Sequence, residues 1–202
     1  MKIGVILAGG LSKRMGEGDK ARADIGGKSL IFHVVDRFAP QVDALLISGD
    51  ENYETGLPFV RDIKDEFSGP AAGLWASLAW LEKHHPSADG FYTVPVDGPF
   101  LPLDLTERLS ATAKTCVATT SVGDHPTFAY WRLRQLRTAF STLETTRNLS
   151  LRHLASLCHA EKVCWECERS FLNINSPEDL AAARNFILRK EKLSGAGLRR
   201  QG

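Results

Sequence analysis

Apolar positions along this chain follow two rhythms. Ile3 to Leu7, Ala44 to Ile47 and Gly90 to Val96 are short apolar runs, which read as strands buried on both faces. Pro58 to Arg61 adds a further short strand. Between these runs the spacing becomes helical. Leu30, Ile31, Val34, Val35 and Phe38 predict a helix over Lys28–Phe38, with Ser29 as its N-cap and Pro40 as its stop. Gly69-Pro70 opens a second helix, through Leu74, Leu78 and Leu81 to about His85. A third is expected from Pro102, a residue suited to a first helical turn, to about Ala113.

The rest of the chain reads less regularly. Thr115–Ser121 and Thr127–Trp131 are expected strands, the latter because of its aromatic residues. Helical patterns return over Arg134–Glu144 and Leu149–Cys158, and Val163–Cys167 and Ser170–Asn173 read as short extended pieces. Ser176-Pro177-Glu178-Asp179 starts a last helix, with an N-cap serine, a proline in first position and acids in the first turn. From Arg189 the chain is basic and Gly-rich, and a frayed tail is expected there.

Strands alternating with helices as far as residue 113 predict an α/β fold: a mostly parallel twisted sheet with helices on both faces. There are no repeats and no clear linker, so residues 1–188 are expected to form a single domain, with 189–202 as the tail. Ligands of such sheets bind beyond the carboxyl ends of the strands, where the strand order reverses. Asp50, Asp62, Asp97 and the loop after Leu7 each follow an expected strand, so they are expected to converge at one edge.

That loop, Leu7-Ala8-Gly9-Gly10-Leu11-Ser12-Lys13-Arg14-Met15-Gly16-Glu17-Gly18-Asp19-Lys20, is the stretch richest in chemistry. Gly9 and Gly10 let the backbone approach a ligand without a Cβ in the way. Successive backbone N–H groups in such a turn form an anion-binding concavity. Arg14 and Lys20 add cationic donors for phosphate oxygens, and Lys13 reads as a solvated rim charge. The loop lacks both the Gly-x-x-x-x-Gly-Lys-Ser/Thr and the Gly-x-Gly-x-x-Gly spacings, which sets aside the P-loop and the dinucleotide fingerprint. A nucleoside triphosphate cradle of another kind remains.

Asp97 is the sharpest residue after the loop. It ends an expected strand and is followed by Gly98-Pro99. A turn aspartate there can bond its own backbone. Beside a phosphate cradle it reads instead as a hard oxygen ligand for Mg²⁺ shared with substrate phosphates. Lys20 and Arg14 are the candidates to stabilise a leaving pyrophosphate, because fixed cations act most strongly where charge develops in a dry site.

Leu-Ala-Gly-Gly followed by Arg14-Met15-Gly16 and then Lys20 resembles the signature of the nucleotidyltransferases. Within that superfamily the chain is similar to the molybdenum cofactor guanylyltransferases, through Asp124-His125-Pro126-Thr127 and Asn173-Ile174-Asn175-Ser176-Pro177-Glu178-Asp179-Leu180. The resemblance covers Ile3 to about Phe186 and implies a Rossmann-like nucleotidyltransferase fold. It implies Mg²⁺-dependent transfer of GMP from GTP to molybdopterin carrying molybdenum, with pyrophosphate released. Asp97 would hold the metal. Leu7, Ala8, Gly9, Gly10, Arg14, Lys20, Asp50, Asp62 and Asp97 would bind the nucleotide. Arg14, Lys20 and Asp97 would be catalytic, and His125, Arg147, Asn173 and Asn175 would face the acceptor. Molybdoenzymes or insertion chaperones are the protein partners it suggests. The chain departs from the family at Ser48-Gly49-Asp50, where an asparagine is usual, and at Ala21-Arg22-Ala23-Asp24, where an apolar entry is usual. Two other readings stay open: the same chemistry with CTP and the pterin or an NTP and a sugar phosphate, and a non-catalytic chaperone that binds nucleotide and pterin.

Composition narrows the partners. The formal net charge of +1 gives no global field to attract nucleic acid or a membrane surface, so anion binding must be local. No run approaches the roughly 18 apolar residues of a membrane span, and a cytoplasmic protein is expected. Of the four cysteines, Cys164 and Cys167 have metal-like spacing. On an extended strand residues three apart point to opposite faces, and no second close pair completes a zinc site, so reduced thiols are expected.

Overall fold

The computed structural model describes residues 1–9, 19–61, 69–143 and 149–198, with side chains through residue 187. The strands are β1 (Ile3–Leu7), β2 (Ala44–Ser48), β3 (Phe59–Val60), β4 (Gly90–Pro95), β5 (Cys116–Thr120), β6 (Gly123–Arg132) and β7 (Glu161–Cys164). The helices are α1 (Leu30–Phe38), α2 (Pro70–His84), α3 (Leu105–Leu109), α4 (Leu133–Ser141), α5 (Leu151–Leu157) and α6 (Pro177–Leu198). Among the described residues the strands form one seven-stranded sheet in the order β3-β2-β1-β4-β6-β5-β7. β6 runs antiparallel to both its neighbours, and the other pairings are parallel.

Side-chain alternation along β1 explains why helices cover both faces. Ile3, Val5 and Leu7 face one buried cluster, built with Leu74, Leu78 and Leu81 of α2, Leu136 and Phe140 of α4 and Leu154 of α5. Ile6 faces the other, with Ile31, Val34 and Phe38 of α1 and Leu105 and Leu109 of α3. On that second face Gly4 makes room for Phe38, since a Cβ at Gly4 would lie 2.7 Å from the ring. A strand with this much apolar surface on both sides belongs in the middle of a sheet.

Four expectations change. The helix expected from Pro102 to Ala113 shrinks to α3, with Asp104 at its N-cap position. Its intended first turn is held by tertiary bonds instead: Leu101 and Pro102 carbonyls accept from Arg37 Nε at 2.9 Å and Gln41 Nε2 at 2.9 Å. The strand expected over Thr127–Trp131 begins earlier. β6 starts at Gly123, and its pairing with β5 shifts register at Val117/Ala118, which accommodates Pro126 without breaking the hairpin. The extended piece expected at Ser170–Asn173 is a 3₁₀ turn over Glu168–Phe171 that turns Phe171 inward, leaving it 3% exposed. At the C-terminus, α6 has helical backbone as far as Leu198, beyond the Arg189 where the tail was expected to begin.

Candidate active site

β1 and β4 are neighbours at the point where strand order reverses, and the crevice beyond their carboxyl ends is where open α/β sheets bind ligands. Val96 N–H donates to the Leu7 carbonyl at 3.0 Å, which aligns the exits of both strands. From there the chain leaves as Ala8-Gly9 on one side and Asp97 on the other. Ala8 and Gly9 N–H groups both donate to the Ser48 carbonyl, at 2.7 and 3.0 Å. That fixes the start of the Gly-rich loop to the end of β2. Gly49 packs closely there, because a Cβ on it would meet Ala8 Cβ at 3.2 Å.

Lys20 returns the loop to the crevice. It opens a 3₁₀ turn, Lys20–Arg22, capped by Asp19, whose Oδ1 accepts from Ala21 N–H at 2.9 Å. The residues after Lys20 anchor this turn. Ala21 is fully buried, and Arg22 pairs with Glu51 at 2.7 Å and Glu54 at 3.0 Å while lying over the Tyr53 ring. Arg184 of α6 donates twice to the Asp24 carbonyl, at 3.0 and 2.8 Å. The unusual Ala-Arg-Ala-Asp segment thus replaces apolar anchoring with one buried alanine and a surface ion-pair cluster.

Held in this way, Lys20 is 7% exposed. Its Nζ donates to Asp97 Oδ2 at 2.6 Å and to Asn175 Oδ1 at 2.7 Å. An ammonium has three protons, so this arrangement leaves one for a ligand. The other Asp97 oxygen, Oδ1, is buried with no hydrogen-bond partner among the described residues. An unpartnered buried carboxylate oxygen is costly unless something completes it. A divalent cation fits that oxygen. Among the described residues no cluster of three or more His, Cys, Asp or Glu side chains forms a metal cage.

The C-terminal motif arrives at the same place. Ile174 N–H donates to the Asp97 carbonyl at 2.8 Å, and Asn175 reaches Lys20. Phe128, whose ring leaves space at Gly98 only for a hydrogen, packs edge-on to Phe171 at 5.1 Å. His125 stacks on Phe171 at 4.8 Å, with Nε2 bonded to Thr120 Oγ1 at 2.9 Å. Burial lowers the His125 pKa, against a smaller opposing pull from Asp124.

The structure therefore brings together Leu7, Ala8, Gly9, Lys20, Asp97 and Asn175, with His125 on the adjoining aromatic cluster. Asn173 and Asp50 are exposed, and the Asp50 carbonyl accepts from Arg61 Nε at 3.0 Å. Gly10, Arg14, Asp62 and Arg147, together with Lys13, lie outside the described residues. Sequence reasoning missed Arg22 and Asp179. Asp179 Oδ2 accepts the N–H groups of Asn175 at 2.9 Å and Ser176 at 3.0 Å, and Ser176 Oγ accepts from Asp179 N–H at 3.1 Å. Its signal was visible as a helix start, without any hint that the start abuts Lys20.

Solved structures share this architecture. Molybdopterin-guanine dinucleotide biosynthesis protein A from Archaeoglobus fulgidus superposes with a TM-score of 0.69 at 21% identity, over 94% of this chain and 100% of that one. A 4-diphosphocytidyl-2C-methyl-D-erythritol synthase from Anaerococcus prevotii gives 0.66 at 13% identity, over 92% and 97%. In sequence, molybdenum cofactor guanylyltransferase of Rhodopseudomonas palustris strain BisB5 is 36% identical over 93% of this chain and 95% of its own. That of Mesorhizobium japonicum is 36% identical over 91% and 95%. The class is nucleotidyltransferase. Residues 4–160 match the MobA-like NTP transferase domain, and the chain belongs to that family.

Proposed function

We propose that the protein transfers GMP from GTP to the terminal phosphate of molybdopterin carrying molybdenum, forming the guanine dinucleotide form of the cofactor. The observation that supports this most directly is the Lys20–Asp97 pair, closed on one side by Asn175 and open at Asp97 Oδ1, at the switch point of the sheet. The similarity to guanylyltransferases over more than nine-tenths of the chain supports the choice of nucleotide and acceptor.

In this reading the acceptor's phosphate oxygen attacks the α-phosphorus of GTP in line. The bond from that phosphorus to the oxygen bridging to the β-phosphate breaks, and pyrophosphate leaves with the electron pair. No covalent nucleophile on the protein is required. Catalysis is then positioning and electrostatics, as in related phosphoryl transfers. Ala8 and Gly9 hold the start of the phosphate loop. Lys20 donates a hydrogen bond through its remaining N–H to the triphosphate, where charge builds on the leaving group. Asp97 would hold Mg²⁺, which when bound offsets negative charge on the phosphates. His125 and Asn173 lie on the acceptor side; Gly10, Arg14 and Asp62 complete the nucleotide site and Arg147 the acceptor side. The protein works in the cytoplasm and hands its product to molybdoenzymes or their insertion chaperones. Among the described residues no helix is long and apolar enough to cross a membrane.

Pyrophosphate release measured across a nucleotide panel, with the pterin acceptor and Mg²⁺, tests the reading. GTP should be preferred. Lys20→Ala and Asp97→Ala should each lower kcat by about 10²–10³-fold, the range for removing one transition-state donor. Preference for CTP would reassign the nucleotide. GTP binding without turnover would replace the enzyme with a chaperone.

A further inference from the structure

The resemblance assigns Asn175 to the acceptor. The geometry points to a different role: Asn175 is a positioning residue for Lys20, and Asp179 holds Asn175 in place. This inference rests on the nucleotide reading of the site.

Orientation of the amide carries the first part. Lys20 has only donors, so the Asn175 atom 2.7 Å from Nζ must be the acceptor oxygen. Lys20 Nζ is thereby held between Asp97 Oδ2 and Asn175 Oδ1. A lysine side chain has four rotatable bonds and much rotamer freedom to lose. Asp97 alone fixes one point of the ammonium. A second acceptor from another element fixes its orientation and aims the remaining proton.

Asp179 carries the second part. Asn175 is exposed and lies outside α6, so nothing in its own surroundings buries it in one pose. Its backbone N–H, however, donates to Asp179 Oδ2, as does that of Ser176, and Asp179 N–H donates in return to Ser176 Oγ. This is a reciprocal cap with aspartate in the usual glutamate position. The adjoining Ile174 N–H is bonded to the Asp97 carbonyl. The cap and the Ile174 bond therefore fix Asn175 from both sides relative to Asp97. The Asp179 carboxyl is held below the usual carboxylate range, first by the Asn175 N–H and in smaller part by the Lys20 charge. Residues 173–179 thus build a strut from the start of α6 to the ammonium.

An acceptor ligand and a positioning residue respond differently when the acceptor is left out. Titration calorimetry of the full chain with GTP and Mg²⁺, without pterin, separates them. Asn175→Ala should weaken GTP binding by about tenfold or more, as loss of a hydrogen bond to a charged group would. Asp179→Asn should weaken it in the same direction. The double variant Lys20→Ala/Asn175→Ala should bind as Lys20→Ala does, because the second change then removes nothing more. In turnover, Asn175→Ala should lower kcat and leave the pterin KM unchanged. Unaltered GTP binding in Asn175→Ala, or losses that add in the double variant, overturn the inference while the nucleotide reading stands. A wild-type protein that binds no GTP overturns both.

Discussion

Lys20 illustrates what one residue gains from its neighbours. A near-buried ammonium is expensive unless it is paired and hydrogen-bonded, and here it meets Asp97 and Asn175 at once. His125 shows the same logic for a titrating group. Its pKa is lowered in the fold, chiefly by burial, while an unfolded histidine protonates near pH ~6.5. The sign follows directly: as pH falls below that value the unfolded chain takes up a proton that the native ring resists. The stability tied to neutral His125 is therefore complete above about pH 6.5 and lost on acidification through the window below it. Thermal melts between pH 7 and 5 should show wild type losing Tm faster than His125→Gln, with parallel curves refuting the assignment. Asp97 was readable from the sequence because it ends an apolar run, and Lys20 because it closes a Gly-rich basic loop. Arg22 and Asp179 were not, because an arginine beside a turn and an acid in a first helical turn are ordinary in sequence; only their partners, 29 and 4 residues away, make them part of the site.

Among the elements, the strand pair β4–β6 decides whether Asp97 arrives at all. Gly90 pairs with Arg132 at its start, and a Cβ there would fall 2.5 Å from the Trp131 carbonyl oxygen. A backbone oxygen cannot swing aside without breaking the ladder. Gly90→Ala should cost about 1–3 kcal/mol by overpacking. At roughly 2–4 °C per kcal/mol for a chain of this size, a Tm drop of several degrees should be seen by calorimetry, and an unchanged Tm would contradict the packing argument. β1, β2 and β4 were legible as elements because both faces are apolar and periodicity is not needed. β6 and α3 were not. β6 includes a proline that its register shift absorbs, and the segment before α3 gives its carbonyls to Arg37 and Gln41 rather than to its own helix.

For the whole molecule, the thiols report which parts are closed. Cys116 and Cys158 are buried, and burial raises each to about 11. Cys164 and Cys167 are exposed, and hydrogen bonding from Ser170 lowers Cys167. β7 ends at Cys164, so the expectation that the pair lies on opposite faces of one strand does not hold. Iodoacetamide should modify Cys167 first and Cys164 next in the native protein, and reach Cys116 and Cys158 only on unfolding. Mass spectrometry of native protein showing early modification at Cys116 would mean that the sheet opens far more readily than its packing implies.

The sequence alone determined the α/β class, the strands that carry the crevice, the Gly-rich basic loop and the metal-suited aspartate. Each is a local property: apolar runs, glycine pairs and a carboxylate at a strand end announce themselves within a few residues. The tertiary structure decided which of them act together. Sheet order places β1 beside β4, and that adjacency sets Lys20 against Asp97, 77 residues away. It also brings Asn175 to the lysine from 155 residues away. Hydrogen bonds at that separation depend on how strands cross over and where α6 begins, and no local pattern encodes those distances.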